Sequence, residues 1–344
     1  MKTIAPPAKA PHPQFCGNGR IRMVEKDVPE PGPGQLLIQC RANALCASEM
    51  GAYRNGSSVT PGHEAAGAVA ARGPATTTPV GTPGVVFLMD FCGECRSCRL
   101  GMTNQCLSKR ADYGFSHDGG YGPYELVNEN VFFPVSEEIP LAEATLLLDV
   151  MGTGGHSIRR AQLVRRDIES LLVTGAGPIG LGVLAMAKLL LGEAAPVVIT
   201  DVVPYRLELA EKLGGRPVNI EKESLREGCK RHGLEAVDAA VDCSGQGPAL
   251  RSAMDVLSKR GVLVCVGHGA ELPLTVSPDL IGPERAILGS EYFRYDELPG
   301  NLGLLKKHMR RLSQIITHRF PVSEIEEAFE TFIQRNTGKV IVEQ

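Results

Sequence analysis

One strand–turn–helix passage constrains the fold more than any other part of the chain. From Ser170 to Gly192 it reads "SLLVTGAGPIGLGVLAMAKLLLG". A short apolar run, too short for a helix, enters a turn built on Gly175, Gly177 and Gly180, and a helix with Pro178 in its first turn leaves it. The same texture then repeats. "APVVITD", "AAVDCSG" and "VLVCVG" read as buried strands, and "PYRLELAEKLGG" and "ALRSAMDVLSKRG" as the helices between them. Strands alternating with helices in this way imply an α/β region with a doubly wound parallel sheet.

The glycine spacing is G-x-G-x-x-G. The first glycine permits the tight turn, the second lets backbone approach a pyrophosphate, and the third allows close helix–strand packing. Pro178 and Ile179 open the helix whose N-terminus would face the phosphate charge. Asp201 ends the next strand, 21 residues past Gly180, where a carboxylate accepts hydrogen bonds from ribose hydroxyls and repels a 2′-phosphate. The expected cofactor is therefore NAD rather than NADP, with Arg206 in the following helix grouped among its contacts. The alternative is a purely structural turn with an N-capping Asp.

From about Gly19 to Val150 the texture is different. "QLLIQC", "GVVFLMD" and "YELVNENVFF" are β-like and separated by Gly/Pro-rich turns, as in an all-β, barrel-like domain. With 344 residues the chain can bury two cores. A net charge of −3 and the absence of Trp argue against nucleic acid or an acidic membrane as partner. The longest apolar run, Ile179 to Gly192, is broken by Lys188 and too short to span a bilayer. "MKTIAPPAKAPHPQF" has no apolar signal core. A cytosolic setting is expected, where structural disulfides are rare.

That setting bears on "DFCGECRSCRLGMTNQC", which carries Cys92, Cys95, Cys98 and Cys106 in a C-x2-C-x2-C-x7-C spacing. Four soft thiolates suit a tetrahedral Zn²⁺ and leave no open position, so such an ion clamps a loop and binds no substrate. An iron–sulfur cluster and four unliganded thiols are the competing readings. Cys243 and Cys265 fall in expected core strands, and Cys16, Cys40 and Cys229 show no partner pattern.

Upstream lie "LCASEM" and "TPGHEAAGAV". Taken singly, Cys46 reads as a small buried hydrophobe and His63 as a loop histidine. Together with the four-cysteine lobe, "DGGYGPY" from Asp118 to Tyr124 and "VTGAGPIG", they resemble the zinc-containing medium-chain alcohol and polyol dehydrogenases over nearly the whole chain. The resemblance implies a GroES-like β-barrel catalytic domain with both zinc sites over residues 1–152, and a Rossmann NAD-binding domain over 153–295. A segment over 296–344 would return to the first domain through the final strand "GKVIVEQ". Two zinc ions per chain are implied, one structural and one catalytic, the latter held by Cys46 and His63.

The resemblance also implies a third ligand, which the family places seven residues ahead of a His or similar residue in a helix; counting back from His156 gives Asp149, similar to the carboxylate of the polyol and threonine dehydrogenase branches. Its alternative role is a helix cap. Glu64 is placed as a transient ligand or an outer-shell group, and Glu49 supports the ligands where the family generally has Asp. Ser48 resembles the hydroxyl that takes the alcohol proton, and "SEMGAYR" carries no histidine to relay it. The implied activity is hydride transfer between NAD and a secondary alcohol of polyol, cyclitol or amino-alcohol type, with zinc as Lewis acid. A homodimer or homotetramer is implied as well, with "ILGSEYF", Ile287–Phe293, on its surface or as an interior strand. Two rival readings are a zinc-free quinone or enone reductase, and an NAD-binding structural or regulatory protein. His117 and His268 read as loop histidines near the cleft. The departures "VGTPGVV" and Tyr121-Gly122-Pro123-Tyr124 are expected to alter loops.

Overall fold

In the computed structural model, which describes residues 6–269 and 271–344, two large sheets carry the chain, beside two small two-stranded ones. Six parallel strands lie in the order Arg216–Asn219, Val197–Asp201, Leu171–Thr174, Val237–Asp242, Leu257–Cys265 and Ala286–Gly289. Numbered along the chain this is 3-2-1-4-5-6, the order that reverses beside the first strand and opens a crevice at the strand ends. Leu171–Val173, Val197–Ile199, Ala239–Val241 and Val262–Val264 are all fully buried. Helices cover both faces, so each strand is a continuous apolar run and not an alternating one.

The turn after Leu171–Thr174 needs its glycines for separate reasons. Gly175 has φ +89°, a left-handed conformation that side chains resist. Gly180 lies so close to the incoming strand that an added Cβ would stand 1.8 Å from the Gly175 carbonyl oxygen. The helix Pro178–Leu190 can begin at this point only because nothing projects from Gly180.

A second, seven-stranded sheet is mostly antiparallel. Its order is Ile316–Pro321, Lys339–Glu343, Gln35–Ala44, Ala65–Arg72, Pro83–Val86 and Phe132–Pro134, with Tyr124–Asn128 also paired to Gln35–Ala44. The last strand of the chain thus runs beside the strand that leads to Cys46, with Ile341 opposite Ala44 and Asn43 opposite Ala65. Two sequence segments split where one strand each was expected. "GVVFLMD" forms Pro83–Val86 and Met89–Asp90, and "YELVNENVFF" forms Tyr124–Asn128 and Phe132–Pro134 around a turn at Glu129–Val131. In each case the halves pair with different neighbours, which a single straight strand could not reach.

The four-cysteine loop forms a small lobe with a short helix, Arg96–Arg99, and a turn at Thr103–Gln105. It is tied to the segment after the parallel sheet: Asn104 donates to the Glu291 carbonyl at 2.7 Å, and Tyr295 N donates to Thr103 Oγ1 at 2.8 Å. Ala286–Gly289, inside "ILGSEYF", is an edge strand paired only with Leu257–Cys265 among the described residues. No helix of the described residues is long and apolar enough to cross a membrane.

Gly180→Ala should lower unfolding stability by about 1–3 kcal/mol through overpacking, read from the urea midpoint of the metal-loaded chain. An unchanged midpoint would mean that the turn yields to a methyl group.

Candidate active site

Cys46 follows the strand Gln35–Ala44, His63 and Glu64 precede Ala65–Arg72, and Asp149 opens a wide, π-type helical turn, Asp149–Thr153, ahead of the helix Gly154–Gln162. The fold brings one ligand atom of each of these four residues within 4.8 Å of the others. His63 Nε2 stands 3.5 Å from Asp149 Oδ2 and 4.0 Å from Glu64 Oε1. His63, Glu64 and Asp149 are buried. Asp149 does not act as a cap: within its own turn its carboxylate meets only the Thr153 hydroxyl, at 3.4 Å. The glycines that follow it have a packing cause, since a Cβ on Gly152 would strike the Phe293 ring at 2.3 Å.

The surroundings decide how these groups point. Glu49 accepts from His63 Nδ1 at 2.8 Å and from His63 N at 3.2 Å, while its other oxygen accepts from Tyr121 Oη at 2.7 Å and Cys46 N at 3.3 Å. With Nδ1 holding its proton toward Glu49, the Nε2 lone pair is left for a metal. Glu64, the fourth member of the cluster, is in a fully buried ion pair with Lys339. Burial and the nearby Asp149 charge push the Glu64 carboxyl up, and the Lys339 ammonium beside it opposes them and holds the carboxylate. Burial acts on Asp149 in the same direction, yet the hydrogen bond and charge of His63 hold it well below the usual carboxylate range. A thiol, an imidazole and a carboxylate converging on one point form a donor set that suits Zn²⁺.

The four-cysteine lobe fits a metal on separate grounds. Its sulfurs are 3.5 Å apart for Cys92 and Cys106, and 3.9 Å for Cys92–Cys98 and for Cys95–Cys106. A tetrahedral zinc with bonds of about 2.3 Å would set such edges near 3.8 Å, whereas a disulfide is far shorter. Backbone N–H groups of Cys98 and Leu107 point at Cys95 Sγ and lower that thiol to about 6.

At the dinucleotide turn, a Cβ on Gly177 would meet nothing closer than Arg206 Nη1 at 3.7 Å. No packing contact therefore requires a glycine at this position. Gly177 caps the helix without a side-chain partner, and Pro178 has no N–H, so the N–H groups of Ile179 and Gly180 are left without an intrahelical acceptor, an arrangement that suits an anion. Asp201 has a second task that sequence reasoning missed. Its carboxylate accepts from Ala176 N at 2.8 Å, Val202 N at 2.8 Å and Val203 N at 3.0 Å, so it locks the turn. Arg206 stands 4.0 Å from it.

Between the domains lies a cavity of about 310 Å³ that both halves line: Cys46, Ser48, His63 and Asp149 from one side, Ile179, Val266 and His268 from the other. Ser48 is exposed there. His117 is not part of this lining and bonds to Ser116 Oγ at 2.9 Å. His156, the counting mark for Asp149, is held by Glu297 at 2.7 Å and takes no part in the cluster.

Comparison with known proteins agrees with this geometry. Residues 32–137 match the family model of the alcohol dehydrogenase GroES-like domain, and residues 178–307 that of the zinc-binding dehydrogenases. The chain is 30% identical over 342 residues to L-threonine 3-dehydrogenase of Deinococcus deserti, covering 94% of this chain and 95% of that one. The same enzyme of Mesorhizobium japonicum is 31% identical over 337 residues, with 94% and 95% covered. An alcohol dehydrogenase from Escherichia coli CFT073, solved with NADH, shares the fold with a TM-score of 0.88 at 22% identity, covering 98% of this chain and 100% of that one. A 2R,3R-butanediol dehydrogenase from Bacillus subtilis does so with a TM-score of 0.84 at 24% identity, covering 97% and 99%. The chain belongs to the zinc-containing medium-chain dehydrogenases. Within that class it is an oxidoreductase of the alcohol type.

Lys339 and Glu64 were invisible as a pair in the sequence. Lys339→Met should cost about 3–5 kcal/mol, because it strands a buried carboxylate. Adding Glu64→Gln should recover much of that loss in a denaturation midpoint. A double variant as unstable as the single one would show that Lys339 acts through packing alone.

Proposed function

We propose that this chain oxidises a secondary alcohol flanked by other polar groups, a polyol, cyclitol or amino alcohol, and passes the hydride to NAD. One observation carries the reading: the Cys46–His63–Asp149 cluster and Ile179 of the dinucleotide turn line the same cavity. Zinc held by these three residues supplies a Lewis acid that lowers the pKa of an alcohol oxygen. Ser48, exposed in the cavity two residues after Cys46, takes the hydroxyl proton and hands it to water, since "SEMGAYR" offers no imidazole. Glu49 orients His63, and Glu64, balanced by Lys339, stands as the outer carboxylate. Asp201 and Arg206 receive the adenosine end of NAD. The amino-alcohol part of the range is supported by the name of the L-threonine 3-dehydrogenase relatives, and the diol part by that of the butanediol dehydrogenase.

A second zinc in the Cys92–Cys95–Cys98–Cys106 lobe is structural, giving two per chain. Ten cysteines without a disulfide fit a reducing, cytosolic compartment. The unpaired edge of Ala286–Gly289 favours pairing with a second copy, so a homodimer or a homotetramer is the working assembly.

Elemental analysis should find two zincs in the wild-type chain and one in Cys46→Ser, with the fold retained and NAD-coupled turnover lost. A single zinc that survives Cys46→Ser would leave only the lobe occupied and sink the Lewis-acid reading.

A further inference from the structure

The interdomain cavity carries more hydrogen-bonding capacity than the protein uses. Among the described residues, Asp112 Oδ1, Ser290 Oγ and Tyr292 Oη are buried and find no hydrogen-bond partner, and all three residues line the cavity. Buried polar groups are normally satisfied, so orphans gathered around one cavity mark where a ligand would complete the pairing. Their backbones are held in place. Ser116 Oγ accepts from Asp112 N at 2.9 Å, Ser290 N donates to the Cys265 carbonyl at 3.0 Å, and the lobe grips the Glu291 carbonyl between Ser290 and Tyr292. Burial pushes the Tyr292 phenol well above its ordinary range, so it stays a neutral hydroxyl able to donate and accept.

Charge narrows what can bind. The fixed cation among the lining residues is Lys109, and it is already paired with Asp112 Oδ2 at 2.7 Å. Glu291 adds a carboxylate to the wall and Asp149 another near the metal cluster, and no arginine is among the lining residues. His268 contributes an imidazole, not a fixed cation. A substrate carboxylate would meet like charges here, whereas a hydroxyl or ammonium would meet acceptors.

We infer that Asp112, Ser290 and Tyr292 form a specificity subsite for hydrogen-bond donors, hydroxyl or protonated amine, on carbons beside the reacting alcohol, and that the cavity disfavours a carboxylate there. The inference rests on the dehydrogenase reading of this cavity and narrows its substrates to vicinal diols, cyclitols and amino alcohols. β-Hydroxy acids and β-hydroxy-α-amino acids fall outside, which separates this chain from the relatives named for L-threonine.

The test uses the zinc-loaded full chain with NAD and five probes: butane-2,3-diol, 1-aminopropan-2-ol, butan-2-ol, L-threonine and 3-hydroxybutyrate. Calorimetry on the enzyme–NADH complex, where an alcohol cannot react, supplies Kd for butane-2,3-diol and butan-2-ol. Diol and amino alcohol should exceed butan-2-ol in kcat/KM by at least about tenfold, because a site built for a donor rejects the analogue that lacks it. Both carboxylate probes should fall below butan-2-ol. Asp112→Asn and Tyr292→Phe, with zinc content and unfolding midpoint monitored, should each cut the diol-to-butan-2-ol ratio severalfold in kcat/KM and in Kd. A wild-type ratio near one, a ratio unmoved by both variants, or L-threonine as the preferred probe would overturn the subsite. If no probe is oxidised, the proposed function fails instead, and the Kd ratio in the NADH complex still decides the subsite.

Discussion

The buried carboxylate of Glu49 is the contact on which the metal cluster depends. Four donors converge on it: the backbone amide and the ring Nδ1 of His63, the amide of Cys46 and the hydroxyl of Tyr121. Burying a carboxylate is costly unless its lone pairs are met, and here each oxygen receives two bonds. Satisfying Glu49 fixes the imidazole tautomer, the position of the Cys46 backbone and the packing of Tyr121, which is itself fully buried. Glu49 is one methylene longer than the Asp generally found at this place, and it still holds His63 while reaching Tyr121.

A second buried pair extends the same logic across the chain. Glu64 and Lys339 come from opposite ends of the sequence and meet because the strand Lys339–Glu343 pairs antiparallel with Gln35–Ala44. The C-terminal segment therefore does more than close a sheet edge, since it places a cation against the cluster of Cys46, His63, Glu64 and Asp149. Like charges gathered without it would repel one another, and the cluster would hold its geometry only with metal present.

The segment from Ser290 to Glu297 joins three features that look separate along the chain. It leaves the parallel sheet at its edge strand, lines the interdomain cavity with Ser290, Glu291 and Tyr292, and receives the four-cysteine lobe through Asn104 and Thr103. It then supplies Glu297, which fixes His156 and Arg159 on the helix that follows Asp149. A clamp on the lobe thus steadies one wall of the cavity and the helix behind the third carboxylate. This gives the four-cysteine site a structural reason to exist without any chemistry of its own.

Much of this was legible in residue order because the physics is local. The G-x-G-x-x-G turn, the C-x2-C-x2-C-x7-C spacing and the strand–helix alternation each concern neighbours a few residues apart, where backbone geometry and ligand bite set the pattern. Asp149 could be singled out only by counting from His156 within a resemblance, and His156 itself turned out to serve Glu297. The Glu64–Lys339 pair, the four bonds to Glu49 and the triple lock on Asp201 left no signal, because a lone Lys in a strand or Glu in a loop looks like any solvated charge. The split of "GVVFLMD" escaped for a similar reason: strand pairing is a choice among distant partners, and composition does not record it. By itself the sequence determined two textures, a dinucleotide turn and two sets of metal-type ligands, since these follow from local periodicity and spacing. Only the tertiary structure decided which carboxylates face the cluster, which charge balances them and which orphaned oxygens line the cavity. Burial and pairing across hundreds of residues are properties of the packed chain, not of its order.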